Sequence, residues 1–295
     1  MKKVINGILP LPPTPLTADR KVDVESLKSV IDFELANGCN GVGVLAGIGE
    51  GYLMSDKDWK AVAKYTADHV NGKVPILVGI AAMGTGKAIE LLKEAKDLGF
   101  DAALTFNPLG FPYGSVEALK KHYRAITDAA GDVQIIPYAR EADVIPVEVL
   151  KTLVDENRIT SMKYAFRNPE MLMQINKELG KKLFLFCGAD AWTLRYLLLG
   201  CKGIMTASAG VLPKEHVELL KLVQKGKIEE AYKLYYEKIV PWNDIGFYQN
   251  WQIAHKLALK EMGVIKTYQY PISQGPIRET HVEEIKSVLK FLGKI

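Results

Sequence analysis

Two hydrophobic periods alternate along this chain. Short apolar runs fall at residues 5–9, 41–46, 75–81, 102–107, 134–139, 159–165, 183–187 and 203–208. Several are apolar nearly throughout, as a strand covered on both faces must be. Between them lie stripes of helical spacing. Val24, Leu27, Val30, Ile31 and Leu35 share one face. Trp59, Val62, Ala63, Thr66 and Val70 share another, behind a predicted Ser55 N-cap with Asp58 three residues on. Ala88, Leu91, Leu92, Ala95 and Leu98 form a third, closed by Gly99. Val116, Leu119, Tyr123 and Ile126 form the next, and Val149, Leu150, Leu153 and Val154 follow Pro146.

The pattern reads as eight strands, each followed by a helix, at a repeat of roughly 20 to 36 residues. Right-handed parallel crossovers over eight strands close most simply as a (β/α)8 TIM barrel. An open doubly wound sheet shares this periodicity. From Pro213 onward the pattern is helical only, with segments at 213–223, 228–240, 244–262 and 278–292. The expected organisation is α/β: a barrel over 1–212 and a C-terminal helical extension over 213–295, packed on it without a linker.

Composition narrows the function classes. The 295 residues are 48% hydrophobic and 24% charged, with a formal charge of +4 and the two signs mixed. No basic block or aromatic-interleaved stripe suggests a nucleic-acid partner. Pro10, Pro12 and Pro13 interrupt the N-terminal apolar run, and no stretch reaches the ~20 apolar residues of a membrane span. Cys39, Cys187 and Cys201 are odd in number and far apart, which suits a reducing cytosol. A cytoplasmic protein is expected.

Barrels of this kind carry their chemistry at the carboxyl ends of the strands. Those ends hold Thr14-Pro15, Gly47-Ile48-Gly49-Glu50, Tyr138-Ala139-Arg140, Lys163, Gly188-Ala189-Asp190 and Thr206-Ala207-Ser208. Lys163 interrupts an apolar strand. Burial disfavours its ammonium and leaves a free amine, which can attack a ketone to form a Schiff base. A strand-end lysine that snorkels outward is the plainer reading. Tyr138, one strand away, is the matching proton shuttle or else a rim aromatic. Arg140 suits a substrate carboxylate, or else an ion pair with Glu141 or Asp143. Glu50, after Gly49, either positions a loop by hydrogen bonds or acts as a base, and the structural role is the plainer reading.

Two other features lead away from chemistry. Ala81 to Ala88 nearly spells a phosphate-binding loop, but Ala88 follows Lys87 where a magnesium-holding hydroxyl belongs. The five histidines lie in helix patterns, mostly facing solvent by expectation, and make no metal-ligand set. No metal is expected.

With these residues placed, the chain resembles the dihydrodipicolinate synthase and N-acetylneuraminate lyase superfamily, class I Schiff-base aldolases on a (β/α)8 barrel. Gly7-Ile8-Leu9 through Thr14-Pro15 is similar to the family's opening, and Val44 to Glu50 stands where it has a G-T-T-G-E loop. Val74 to Gly79 and Gly99 to Leu104 match the next strand entries, and Phe186-Cys187-Gly188-Ala189-Asp190 its F-x-G-x-D segment. Tyr138 falls on the catalytic tyrosine and Lys163 on the Schiff-base lysine.

The chain also departs from that pattern. The paired threonines of the synthase are Gly47 and Ile48, its P-Y-Y segment reads Pro108-Leu109-Gly110, and its substrate-binding arginine falls on Asp143. Tyr138-Ala139-Arg140-Glu141 looks closer to the Y-N-R-D of the 5-keto-4-deoxyglucarate dehydratase branch. The resemblance implies a lyase acting on a small 2-keto acid through a covalent imine with Lys163, without an added cofactor. The departures favour a keto-deoxy sugar acid or a pyruvate-derived substrate. Thr14, Gly47, Ile48, Gly49, Arg140 and Ser208 are the expected substrate contacts. The alternatives are the synthase reaction, pyruvate plus aspartate semialdehyde, and a non-catalytic keto-acid-binding barrel. The family also implies a homotetramer, a dimer of dimers.

Overall fold

The computed structural model describes residues 3–82, 84–108, 115–141, 144–247, 251–271 and 277–295. Seven parallel strands follow one another around a single sheet: β1 Val42–Val44, β2 Ile76–Ile80, β3 Ala102–Thr105, β4 Gln134–Ala139, β5 Ser161–Tyr164, β6 Phe184–Cys187 and β7 Gly203–Ile204. Residues 7–11 supply the eighth stave and close the ring. Ile8 bridges Ile204 in parallel, and the N–H groups of Leu9 and Leu11 donate to the carbonyls of Ile204 and Thr206 at 3.0 and 3.2 Å. On the other side Asn40 N–H donates to Ile8 O at 2.8 Å.

This first stave was expected as a full strand over 5–9, and it forms a bridge instead. Leu9 and Leu11 turn their N–H groups toward β7, so by alternation Pro10 and Pro12 face β1, where proline has no donor. Every strand but β4 is also shorter than its predicted run, and in β1 and β7 the cause is local. β1 stops at Val44 because Leu45 takes a left-handed conformation (φ 57°). The last run keeps only two ladder residues, and Ser208 already opens a helical turn.

Helices α1 Val24–Ala36, α2 Asp56–Val70, α3 Thr85–Asp97, α4 Val116–Ala130, α5 Val147–Asp155, α6 Pro169–Leu179, α7 Thr193–Leu198 and α8 Ser208–Val211 run outside the sheet or link its strands. Their starts follow local chemistry. Asp23, Ser55, Ser115 and Asn168 each accept the N–H three residues on, and Pro169 stands at the first turn of α6. Two apolar layers between strands and helices surround an inner filling that includes Leu9, Leu77, Leu104, Ile136, Phe186 and Met205.

Helices α9 Pro213–Gln224, α10 Ile228–Leu234, α11 Val240–Gly246, α12 Trp251–Glu261 and α13 Glu279–Phe291 complete the described chain, with a π turn at Tyr235–Ile239. The expected division after residue 212 falls between α8 and α9, and α9 itself contacts β7 and α7. The single helix expected over 244–262 is instead two, α11 and α12. Trp242, Ala254, Leu257, Ile285 and Leu289 bury together beneath the extension.

The histidines overturn their expectation. His122, His216, His255 and His281 are buried, and only His69 is partly open, against Asp32. Imidazole tolerates this where its N–H finds a carbonyl. Nδ1 of His216 and of His255 lies 2.8 and 2.7 Å from the carbonyl four residues earlier, and burial pushes both rings down to about 4, so they are neutral.

Candidate active site

The sequence of β5 sets Lys163 inside the barrel. Side chains alternate along a strand, so Met162 and Tyr164 enter the outer core while Lys163 faces the interior. It pairs in register with Tyr138 on β4 and Phe186 on β6. Its residue exposure is 5%, and its amine stands 3.8 Å from the centre of the Tyr138 ring. Gly188 leaves the room this needs, because a Cβ there would lie 2.3 Å from Lys163 Cε.

The surroundings of that amine decide its protonation. Burial lowers its pKa to about 7; Asp190 and Cys187 pull it back up and Arg140 lowers it further. A substantial share of the amine is therefore neutral near pH 7, against almost none for an exposed lysine. Asp190 is half-buried on the cavity wall, and burial raises its carboxyl while a hydrogen bond from Ser208 N–H at 2.7 Å lowers it. Its backbone carbonyl accepts from Asn243 Nδ2 and Thr193 Oγ1.

A second wall is the turn after β1. Leu45 and Glu50 both take left-handed φ, and Gly49 fits only without a side chain, since a Cβ would lie 2.7 Å from Leu45 N. The Thr14 hydroxyl donates to Gly49 O at 2.6 Å. Glu50 is fully buried and pairs with Lys256 of α12 at 2.7 Å, also fully buried. The structure thus supports the structural reading of Glu50.

These elements enclose a cavity of about 540 Å³ at the carboxyl ends of the strands. Lys163, Tyr138, Arg140, Gly47 and Ile48 all line it, so the structure brings together most of the expected site. Thr14, Gly49 and Ser208 do not line it. Thr14 and Gly49 build the turn beneath, and the Ser208 hydroxyl faces His216 Nε2 at 3.1 Å. Arg140 lies over the Phe106 ring at 5.2 Å, and Tyr138 meets that ring edge-on. Glu141, one expected partner of Arg140, accepts the Arg167 N–H at 2.7 Å. Asp143, Leu109 and Gly110 lie outside the described residues.

Lys87, in the near-miss phosphate loop, is paired with Asp56 and Glu90 on the helical surface. Sequence reasoning passed over three cavity groups, Asp190 as an electrostatic neighbour of Lys163 and the indoles Trp192 and Trp251. It also missed Lys256. The signal there was a lysine inside the apolar run Ile253 to Leu259, the anomaly that singled out Lys163. No described helix is long and apolar enough to cross a membrane.

Comparison with known proteins fits this geometry. The model of the dihydrodipicolinate synthetase family matches residues 4–292. The 4-hydroxy-tetrahydrodipicolinate synthase of Thermodesulfovibrio yellowstonii is 30% identical, over 93% of this chain and 94% of the relative. The synthase of Methanocaldococcus jannaschii is 29% identical, over 99% of this chain and all of the relative. The crystal structure of the dihydrodipicolinate synthase from Acinetobacter baumannii, complexed with pyruvate, superposes with a TM-score of 0.91 at 28% identity, covering 99% of this chain and 100% of that one. These names favour the synthase alternative over the sugar-acid reading drawn from the sequence departures. With a family match over nearly its whole length and a lysine amine inside the barrel mouth, the chain belongs to the dihydrodipicolinate synthetase family of lysine Schiff-base lyases.

Proposed function

We propose that this protein joins pyruvate to an aldehyde through an imine on Lys163, with aspartate semialdehyde as the first acceptor to test. The observation that carries the reading is the Lys163 amine, buried beside Tyr138 on the wall of a cavity large enough for both reactants, where burial lowers its pKa to about 7. The names of the relatives support the choice of acceptor.

In this reading the Lys163 amine adds to the C2 carbonyl, and water leaves to give a protonated imine. The imine draws electrons from C3, a C3 proton departs, and an enamine forms. The enamine carbon attacks the aldehyde carbonyl, whose oxygen takes a proton. Tyr138 carries the proton in both steps. Attack on the imine by water, or by the acceptor's own amine, frees Lys163. The imine supplies the electron sink, so this chemistry requires no metal or organic cofactor. Backbone N–H groups at Gly47 and Ile48, with Arg140, hold the pyruvate carboxylate. Thr14, Gly49 and Ser208 act from behind, on the turn and on Asp190.

A keto-deoxy sugar acid, cleaved or dehydrated through the same enamine, is the second reading. Arg140 on the cavity wall, with no hydroxyl at positions 47 and 48, favours it. Borohydride trapping with pyruvate, followed by peptide mapping, tests the imine, and an adduct absent from Lys163 overturns both readings. Product formation from pyruvate plus aspartate semialdehyde, set against turnover of keto-deoxy sugar acids, separates them.

We further propose a cytoplasmic homotetramer built from dimers. Exposed Leu198, Tyr232 and Tyr236 beside Trp192 offer an apolar patch for such contacts. Light scattering on the purified protein reads the assembly.

A further inference from the structure

Glu50 and Lys256 are 206 residues apart, and neither side chain has measurable exposure. The Lys256 amine donates to Glu50 Oε2 and to Gln269 O, both at 2.7 Å. Glu50 Oε1 is buried without a partner among the described residues. Burial drives both groups toward neutrality, raising the carboxyl and lowering the ammonium, and each partner opposes that drift. A buried pair of this kind adds little net stability, but losing one member strands the other charge.

The position of the pair suggests its use. Glu50 closes the turn whose residues Gly47 and Ile48 line the cavity, and Glu50 N–H donates to Gly47 O at 3.3 Å. Its φ of 62° is a conformation a glutamate adopts only when its surroundings impose it. The Thr14 hydroxyl fixes the same turn at Gly49 O from the other side. Lys256 comes from α12, whose first residue, Trp251, also lines the cavity.

We propose that Lys256 is a positioning residue: through its buried contact with Glu50, the C-terminal extension fixes the Gly47–Ile48 turn in the geometry that receives the keto-acid carboxylate. This rests on the imine reading above. It implies that the extension is part of the active site, acting on substrate capture rather than on the chemistry at Lys163.

The test is the Lys256→Met variant of the full chain, compared with wild type for Tm, for the concentration of pyruvate giving half-maximal borohydride trapping, and for the fraction trapped at saturation. The expected result is a half-maximal concentration raised about tenfold or more, with the saturating fraction nearly kept. An unchanged half-maximal concentration overturns the proposal. So does a loss of trapped fraction in step with a lowered Tm and no change in half-maximal concentration, which is what a purely structural contact gives. Should Lys256→Met fail to fold, Glu50→Asp asks the same question, because it keeps both charges and withdraws the carboxylate by one methylene; the same shift supports the proposal and an unmoved value overturns it. Failure of wild type to trap pyruvate at Lys163 would instead overturn the imine reading, so the two failures are distinguishable.

Discussion

Tyr138 and Lys163 occupy paired positions on neighbouring strands, and the lysine amine lies 3.8 Å from the centre of the tyrosine ring. The ring excludes water from one side of the amine, and in the proposed mechanism the hydroxyl carries the proton. Tyr138→Phe keeps the first property and removes the second. Imine trapping with pyruvate is therefore expected to persist while turnover falls roughly 10²- to 10⁴-fold. Turnover at the wild-type rate would remove Tyr138 from the proton path.

The pH dependence follows from the lowered pKa of Lys163, about 7. Only the neutral amine adds to a ketone, so the rate of trapping rises through pH 7 and flattens above pH ~8. Asp190 opposes the loss of the proton. Asp190→Asn should move the rising limb to lower pH, and Lys163→Ala should abolish trapping altogether. Stopped-time borohydride assays between pH 5 and 9 read the limb; one that stays put in Asp190→Asn contradicts the assigned coupling.

Gly188→Ala places a methyl group 2.3 Å from the present position of Lys163 Cε. The flexible lysine has to yield, at an overpacking cost of about 1–3 kcal/mol. The expectation is a modest fall in Tm with a large loss of trapping. Full trapping would mean that the lysine reaches the substrate from a different rotamer.

A side chain at Gly47 has open space, since a Cβ there meets nothing within 4 Å. Gly47→Thr with Ile48→Thr would return two hydroxyls to the cavity wall. A hydrogen bond to a charged group contributes about 1.5–3 kcal/mol, so even one new contact with the pyruvate carboxylate should lower the half-trapping concentration about tenfold. An unchanged concentration would show that the hydroxyls do not reach the carboxylate.

Glu34 gives a stability prediction away from the site. It is fully buried in α1, both its oxygens are without a partner among the described residues, and burial raises its pKa well above the ordinary carboxyl value. In the unfolded chain it ionises near pH 4.5. The folded form keeps its proton to higher pH, so the neutral carboxyl costs stability progressively as pH rises above that value. Glu34→Gln should leave Tm almost unchanged at pH 4 and raise it at pH 8, because the amide carries no proton to lose. Equal shifts at both pH values would deny the carboxyl its role.

The barrel was legible because its signals are local. A strand covered on both faces has to be apolar, and a helix lying on it shows its 3.6-residue stripe, which is why β2 to β6 fell within the predicted runs and helices formed over the stripes predicted for α1 to α5. The exceptions were set by neighbours or by backbone detail. Pro10 and Pro12 cost the first stave its ladder, and Leu45 turned β1 aside early. The histidines were misread because polar composition does not reveal a carbonyl four residues back that satisfies a buried ring.

The sequence by itself determined the layered fold and singled out Lys163, since an amine inside an apolar strand is anomalous wherever that strand lies. Tertiary structure alone decided what surrounds it. Asp190, Arg140 and the Gly47–Ile48 turn come from different staves, and Lys256 reaches Glu50 across 206 residues. The physical reason is range: hydrophobic periodicity reports which face of a segment avoids water, whereas the pKa of an amine and the shape of a cavity depend on charges and walls that only the closed ring brings within a few ångströms.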